Sequence, residues 1–107
     1  MDRFEELTAQ IIKFTEERDW DQFHSQENLA KSISIEAAEL LECYQWGTSA
    51  DLTAVEEELA DILNYCFLLA YKLRLDPIEI VKKKMEITGR KYPVEKSKGR
   101  STKYDKL

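Results

Sequence analysis

Glycine and proline are scarce in this chain, three and two residues among 107. So few turn formers disfavour a β-rich fold with many tight connections and favour a few long helices. No apolar run reaches the roughly 18 residues that a membrane-spanning helix needs. The opening residues, Met1-Asp2-Arg3-Phe4-Glu5-Glu6, are acidic and amphipathic, unlike a signal peptide. Cysteine is limited to Cys43 and Cys66, both expected inside helices as buried free thiols of a reducing, cytoplasmic compartment. Histidine occurs once, at His24, which is too little for a structural zinc site.

Charge is also modest. The net value is −5, from 16 basic and 21 acidic side chains. Four of those acids stand in two spaced pairs, and without them acids and bases nearly balance. That argues against nucleic-acid binding as the main task. The length fits one small domain, and a chain of this size gains core by associating with copies of itself.

The apolar pattern is helical. Phe4, Leu7, Ile11 and Phe14 recur at helical spacing in a first helix over residues 2–19. An aromatic break, Arg18 to His24, follows. Ser25 offers an N-cap to a second helix over 26–45, ended by Gly47-Thr48-Ser49. A third covers 52–75, with Thr53 and Glu56 as a capping box if it starts late. Asp76-Pro77-Ile78-Glu79 starts a fourth, with Asp as cap and Pro at the first position. It ends near 89–93. Residues 1–95 form the expected folded domain. The tail from 96 to 107, with five basic residues and one acid, is expected to be mobile or to act as a lid. Four helices with short connections predict an all-α fold, a four-helix bundle.

Helix two is apolar on more than one side. Leu29, Ile33, Ala37, Leu40, Leu41 and Tyr44 form one stripe, and Ile35, Ala38 and Cys43 lie outside it. A second cover is needed, and in so short a chain another copy supplies it. A homo-oligomer with helix two at or near the interface is expected.

The acidic pairs are Glu36-x-x-Glu39 and Glu58-x-x-Asp61. Each spacing puts both carboxylates on one face of a helix, at the border of an apolar stripe. Two readings fit that spacing. One is an ordinary solvated face, strengthened by Glu56 and Glu57 beside Glu58. The other is a metal site, in which two antiparallel helices bring four mutually repelling carboxylates around a cation. Di-iron bundles need Glu-x-x-His pairs, which are absent here. An all-oxygen set suits Mg²⁺, or Mn²⁺ as a substitute, and Mg²⁺ held by a few carboxylates completes its shell with water and phosphate oxygens.

Taken with their surroundings, these residues resemble the signature of the MazG-like all-α nucleoside triphosphate pyrophosphohydrolases. The segments Arg18-Asp19-Trp20-Asp21-Gln22-Phe23-His24, Asn28-Leu29, Tyr44-Gln45-Trp46, Glu56-Glu57-Glu58-Leu59-Ala60-Asp61 with Tyr65, Lys91-Tyr92-Pro93 and Ser101-Thr102-Lys103-Tyr104 are similar to the dCTP pyrophosphatase branch. The resemblance covers nearly the whole chain. It implies Mg²⁺-dependent hydrolysis of a (deoxy)nucleoside triphosphate, dCTP or a modified relative foremost, to the monophosphate and pyrophosphate, clearing unwanted nucleotides from the pool. It implies a dimer or tetramer, and neither nucleic acid nor membrane as partner. Glu36, Glu39, Glu58 and Asp61 would hold metal, with Glu39 the candidate for activating water. Trp20 and Trp46 would wall the base, and His24 would donate to a base edge or a phosphate. Asn28 would read the base or merely cap its helix. Tyr65 would meet the sugar, and Lys84 and Arg90 the phosphates. One position departs from the family pattern: Thr88 stands where the related enzymes carry Asn, which puts contacts at that point in doubt. The rival readings are a non-catalytic helical interaction module, and the same enzyme class with dUTP or broad dNTP preference.

Overall fold

A computed structural model describes residues 2–47 and 49–107. Met1 and Thr48, the latter part of the expected Gly47-Thr48-Ser49 connection, lie outside the described residues. Five helices are present among the described residues, with no strand: α1 (Arg3–Glu17), α2 (Gln26–Glu42), α3 (Leu52–Lys72), α4 (Pro77–Lys91) and α5 (Val94–Ser97). Short 3₁₀ turns lie at Asp21–Phe23 and Tyr104–Lys106. The chain divides into two compact units, 1–74 and 75–107.

Local chemistry sets the helix starts. Asp2 accepts from the Glu5 amide at 2.8 Å while Glu5 accepts from the Asp2 amide at 3.4 Å, a reciprocal capping box. Ser25 accepts from the Asn28 amide at 3.1 Å, and Asp76 from the Ile78 amide at 2.9 Å with Pro77 at the first position. The third helix ends at Lys72, three residues before the expected 75. The helix begins at Leu52, as expected, so the late-start box of Thr53 and Glu56 does not form; Asp51 caps it, accepting from the Thr53 amide at 3.0 Å. The second helix is shorter than expected. From Cys43 on, amides turn to carbonyls three residues back, as in Tyr44 to Leu41 at 3.0 Å, so the chain tightens out of the α-helix and Cys43 is its cap. The first helix ends two residues early, at Glu17, and Asp19 takes a left-handed φ of 54° just beyond it.

In the first unit α2 packs along α3, and α1 meets α3 over a smaller area. Cross-helix pairings run in opposite order. Asp21 meets Lys72, His24 meets Tyr65, and Glu36 meets Glu58. Helices α2 and α3 are therefore antiparallel. The core is small. Leu29, Leu68 and Ala70 are buried with the Thr15 side chain, whose hydroxyl donates to the Ile12 carbonyl. Phe4 stands edge-on to Phe67 at 5.0 Å, fastening α1 to α3. Full burial of Leu29 contributes about 2 kcal/mol. The rest of the α2 stripe is not covered in the same way: Leu41 is 71% exposed and Tyr44 49%.

In the second unit, α4 carries a groove lined by Ile80, Val81, Lys84, Met85, Thr88, Gly89 and Tyr92. The tail returns to the end of this helix. Tyr92 accepts from the Tyr104 amide at 3.1 Å, their rings meet edge-on at 6.0 Å, and the Lys91 ammonium lies 4.7 Å from the Tyr104 ring. Helix α5 spans the 95/96 position at which the sequence suggested that the tail begins.

Candidate metal centre and its surroundings

Three of the four carboxylates converge. Glu36 on α2 and Glu58 and Asp61 on α3 each present an oxygen, all within 4.8 Å of one another. Glu36, Glu39 and Glu58 are half-buried, whereas Asp61 is exposed rather than semi-buried as its helical-wheel position suggested. An oxygen each of Glu36 and Glu58 is buried with no hydrogen-bond partner. Buried acceptors left unmatched are costly, and two carboxylates of one cluster that each carry one suit a cation. Glu39 stands beside the trio without joining it.

The electrostatics follow. Burial first, then the close carboxylates of Glu39 and Glu58 and the charge of Asp61, push Glu36 up to about 7. Burial, then the neighbouring Glu39 carboxylate, raises Glu58 as well. Burial and the nearby charges of Glu36, Asp61 and Glu39 raise the Tyr65 phenol, so Tyr65 lies in the field of this cluster. Oxygen donors within 4.8 Å of one another, on carboxylates two of which carry an orphaned oxygen, fit a hard divalent cation; with no nitrogen or sulfur donor among them, they do not suit a soft metal.

The segment between α1 and α2 borders this site. His24 sits edge-on to Tyr65 with ring centres 6.4 Å apart, and its Nδ1 is buried without a partner. Trp20 packs against Phe14 at 5.9 Å and remains 45% exposed. Arg18 lies 3.6 Å over the Phe14 ring and donates to the Phe14 carbonyl. The Asn28 amide donates to the Phe23 carbonyl at 2.9 Å, so that nitrogen is committed to holding the turn. Trp46 is 91% exposed beyond the end of α2. Lys84 and Arg90 lie on α4 in the second unit, Lys84 in its apolar groove and Arg90 in its last turn.

Sequence reasoning missed the Lys72–Asp21 ion pair, the Arg18–Phe14 stack and the Asn28 tie. Of these, the Asn28 tie had a local signal, an Asn in the first helical turn after a capping Ser, and the Arg18–Phe14 stack had its i,i+4 spacing; the ion pair had none.

An all-α chain with a carboxylate trio between two antiparallel helices fits a class: helical proteins with an all-oxygen acidic cluster suited to a divalent cation. Within that class this chain belongs to the MazG-like family, whose profile matches residues 31–107. It is 38% identical to dCTP pyrophosphatase 1 of Bos taurus and 35% identical to that of Homo sapiens, over 96% of its own length in each case. It spans 67% and 66% of those two proteins, about two thirds. A crystal structure of a pyrophosphatase from Archaeoglobus fulgidus superposes with a TM-score of 0.81 at 44% identity, covering 87% of this chain and 94% of that one.

Proposed function

We propose that the chain is a Mg²⁺-dependent pyrophosphohydrolase of deoxynucleoside triphosphates, with dCTP or a modified dCTP as leading substrate. It splits the α–β anhydride to give monophosphate and pyrophosphate, and so clears unwanted nucleotides. The observation that carries this reading is the carboxylate trio with its two unpartnered oxygens, in a chain of this family. The names of the bovine and human relatives support dCTP.

Glu36, Glu58 and Asp61 hold the ion, and Mn²⁺ can replace Mg²⁺. When bound, the ion offsets the charge of the triphosphate and of the trio together. Glu39, next to the trio but outside it, is free to orient the attacking water and accept its proton. Tyr65 and His24 border the same cluster and are placed for sugar and base contacts. Trp20 and Trp46 offer stacking faces, which contribute about 1–3 kcal/mol per base in single-strand binders. Asn28 acts by holding the turn that carries His24. For Lys84 and Arg90 the proposed role is phosphate contact, and Lys84→Gln raises KM if it holds. The protein works as a homo-oligomer, dimer or tetramer, with α2 at its interface. Exposed Ile35 and Leu41 on one helix support that reading.

The test is a panel of nucleoside triphosphates with Mg²⁺, assayed for monophosphate and pyrophosphate. Preference for dUTP, or equal turnover of all dNTPs, would replace dCTP while keeping the reaction. No turnover, with no Mg²⁺ bound, would leave a helical interaction module.

A further inference from the structure

Residues 18–24 join α1 to α2 and carry Trp20 and His24. The segment is held from several sides. Gln22 donates to the Asp19 carbonyl and carboxylate, both at 3.0 Å, closing the turn on itself. Asn28 fastens it to α2 and Phe14 braces Trp20 from α1. Its polar tie to α3 comes from Lys72, whose ammonium meets the Asp21 carboxylate at 2.5 Å across 51 residues of sequence. Lys72 is not a freely solvated partner: its side chain is 26% exposed, against 61% for Asp21. The lysine also pulls the Asp21 carboxyl below its usual range, by hydrogen bond first and charge second.

The place of Lys72 on α3 gives the pair its meaning. Glu58, Asp61, Tyr65 and Lys72 recur at spacings of three, four and seven, which is one stripe of an α-helix. Lys72 lies two turns beyond Tyr65, about 10 Å along that stripe. The stripe that presents two of the three clustered carboxylates therefore also grips the segment bearing Trp20 and His24. We propose that the Lys72–Asp21 ion pair is a positioning device, setting where Trp20 and His24 stand relative to the carboxylates and so tuning nucleotide affinity without touching the nucleotide. The proposal rests on the nucleotide reading above. A pair with one exposed member adds little to global stability. Its effect is expected in where the turn sits and not in whether the chain folds.

The experiment uses the full chain with three substitutions: Lys72→Met, Asp21→Asn, and the exchange Asp21→Lys with Lys72→Asp. Two readouts are taken. One is steady-state hydrolysis of dCTP with Mg²⁺. The other is the NMR spectrum of the imidazole of His24, the only histidine in the chain. Lys72→Met and Asp21→Asn should raise KM about two- to five-fold with kcat nearly unchanged. Both should shift the His24 ring protons, which feel the Tyr65 ring in the native protein, and the exchange variant should recover both values. Unchanged His24 shifts in Lys72→Met would overturn the positioning claim. So would a native KM beside displaced shifts, and so would a fall in Tm with neither change. If the native chain turns over no nucleoside triphosphate, the functional reading fails by itself, and the His24 spectrum still decides whether the pair places the turn.

Discussion

Glu36 carries the sharpest consequence at the residue scale. Its carboxyl sits near 7 in the folded chain, against 4.5 ordinarily. An acid whose folded value is raised binds more protons folded than unfolded, so stability falls as pH rises from 4.5 to 7 and stays lowered above. Without divalent metal, the native protein should therefore lose Tm across that window relative to Glu36→Gln, which removes the titration. At pH 8 the Glu36→Gln variant should melt higher than the native protein in chelator. It should also lose the Mg²⁺-dependent rise in Tm and at least a hundred-fold in turnover, on the order of 3 kcal/mol or more in the barrier. Asp61→Asn should lose the Mg²⁺ response and turnover while staying folded. Thermal melts with and without Mg²⁺ read all of these. A native-like Mg²⁺ response in Glu36→Gln would show that the trio is only an acidic face. The pairs were legible in the sequence because their spacing is local. Which three oxygens converge, and that Glu39 stands aside, depends on how α2 and α3 are rotated against each other, and no local pattern encodes that.

Elements were legible where a cap residue acts on its own neighbours. Ser25 and the Asp76-Pro77 start are found as expected. Ser25→Ala should cost about 1 kcal/mol, measured by urea unfolding, since the amide it satisfies has no substitute. The α2 end was misjudged because apolar periodicity continues through Tyr44 while the backbone has already tightened, and periodicity alone cannot see the change of hydrogen-bond ladder. Just after α3, Arg74 adopts a left-handed φ of 57°. A Cβ is unfavourable there, so Arg74→Gly should raise stability by roughly 0.5 kcal/mol, and a loss of that size would mean that the Arg side chain itself contributes to stability. The Lys72–Asp21 pair was out of reach of sequence reasoning for a different reason: charges 51 residues apart carry no register until both helices are placed.

The whole molecule was legible as an all-α chain of the MazG-like family, and that family match spans residues 31–107. No helix among the described residues is long and apolar enough to cross a membrane. The proposed assembly rests on the two-sided pattern of α2 and on Leu41, which lies largely uncovered on a helix whose Leu29 is fully buried. Leu41→Asp should shift the sedimentation coefficient of the native oligomer toward the monomer while α2 stays helical by circular dichroism; a native chain that already sediments as a monomer would contradict the assembly reading. The central claim is the reaction itself, and it is tested most directly by incubating the chain with dCTP and Mg²⁺ and separating the products. The expected products are dCMP and pyrophosphate in equal amounts, dependent on Mg²⁺ and abolished in Glu36→Gln. Release of orthophosphate, or turnover that survives chelation, would contradict it.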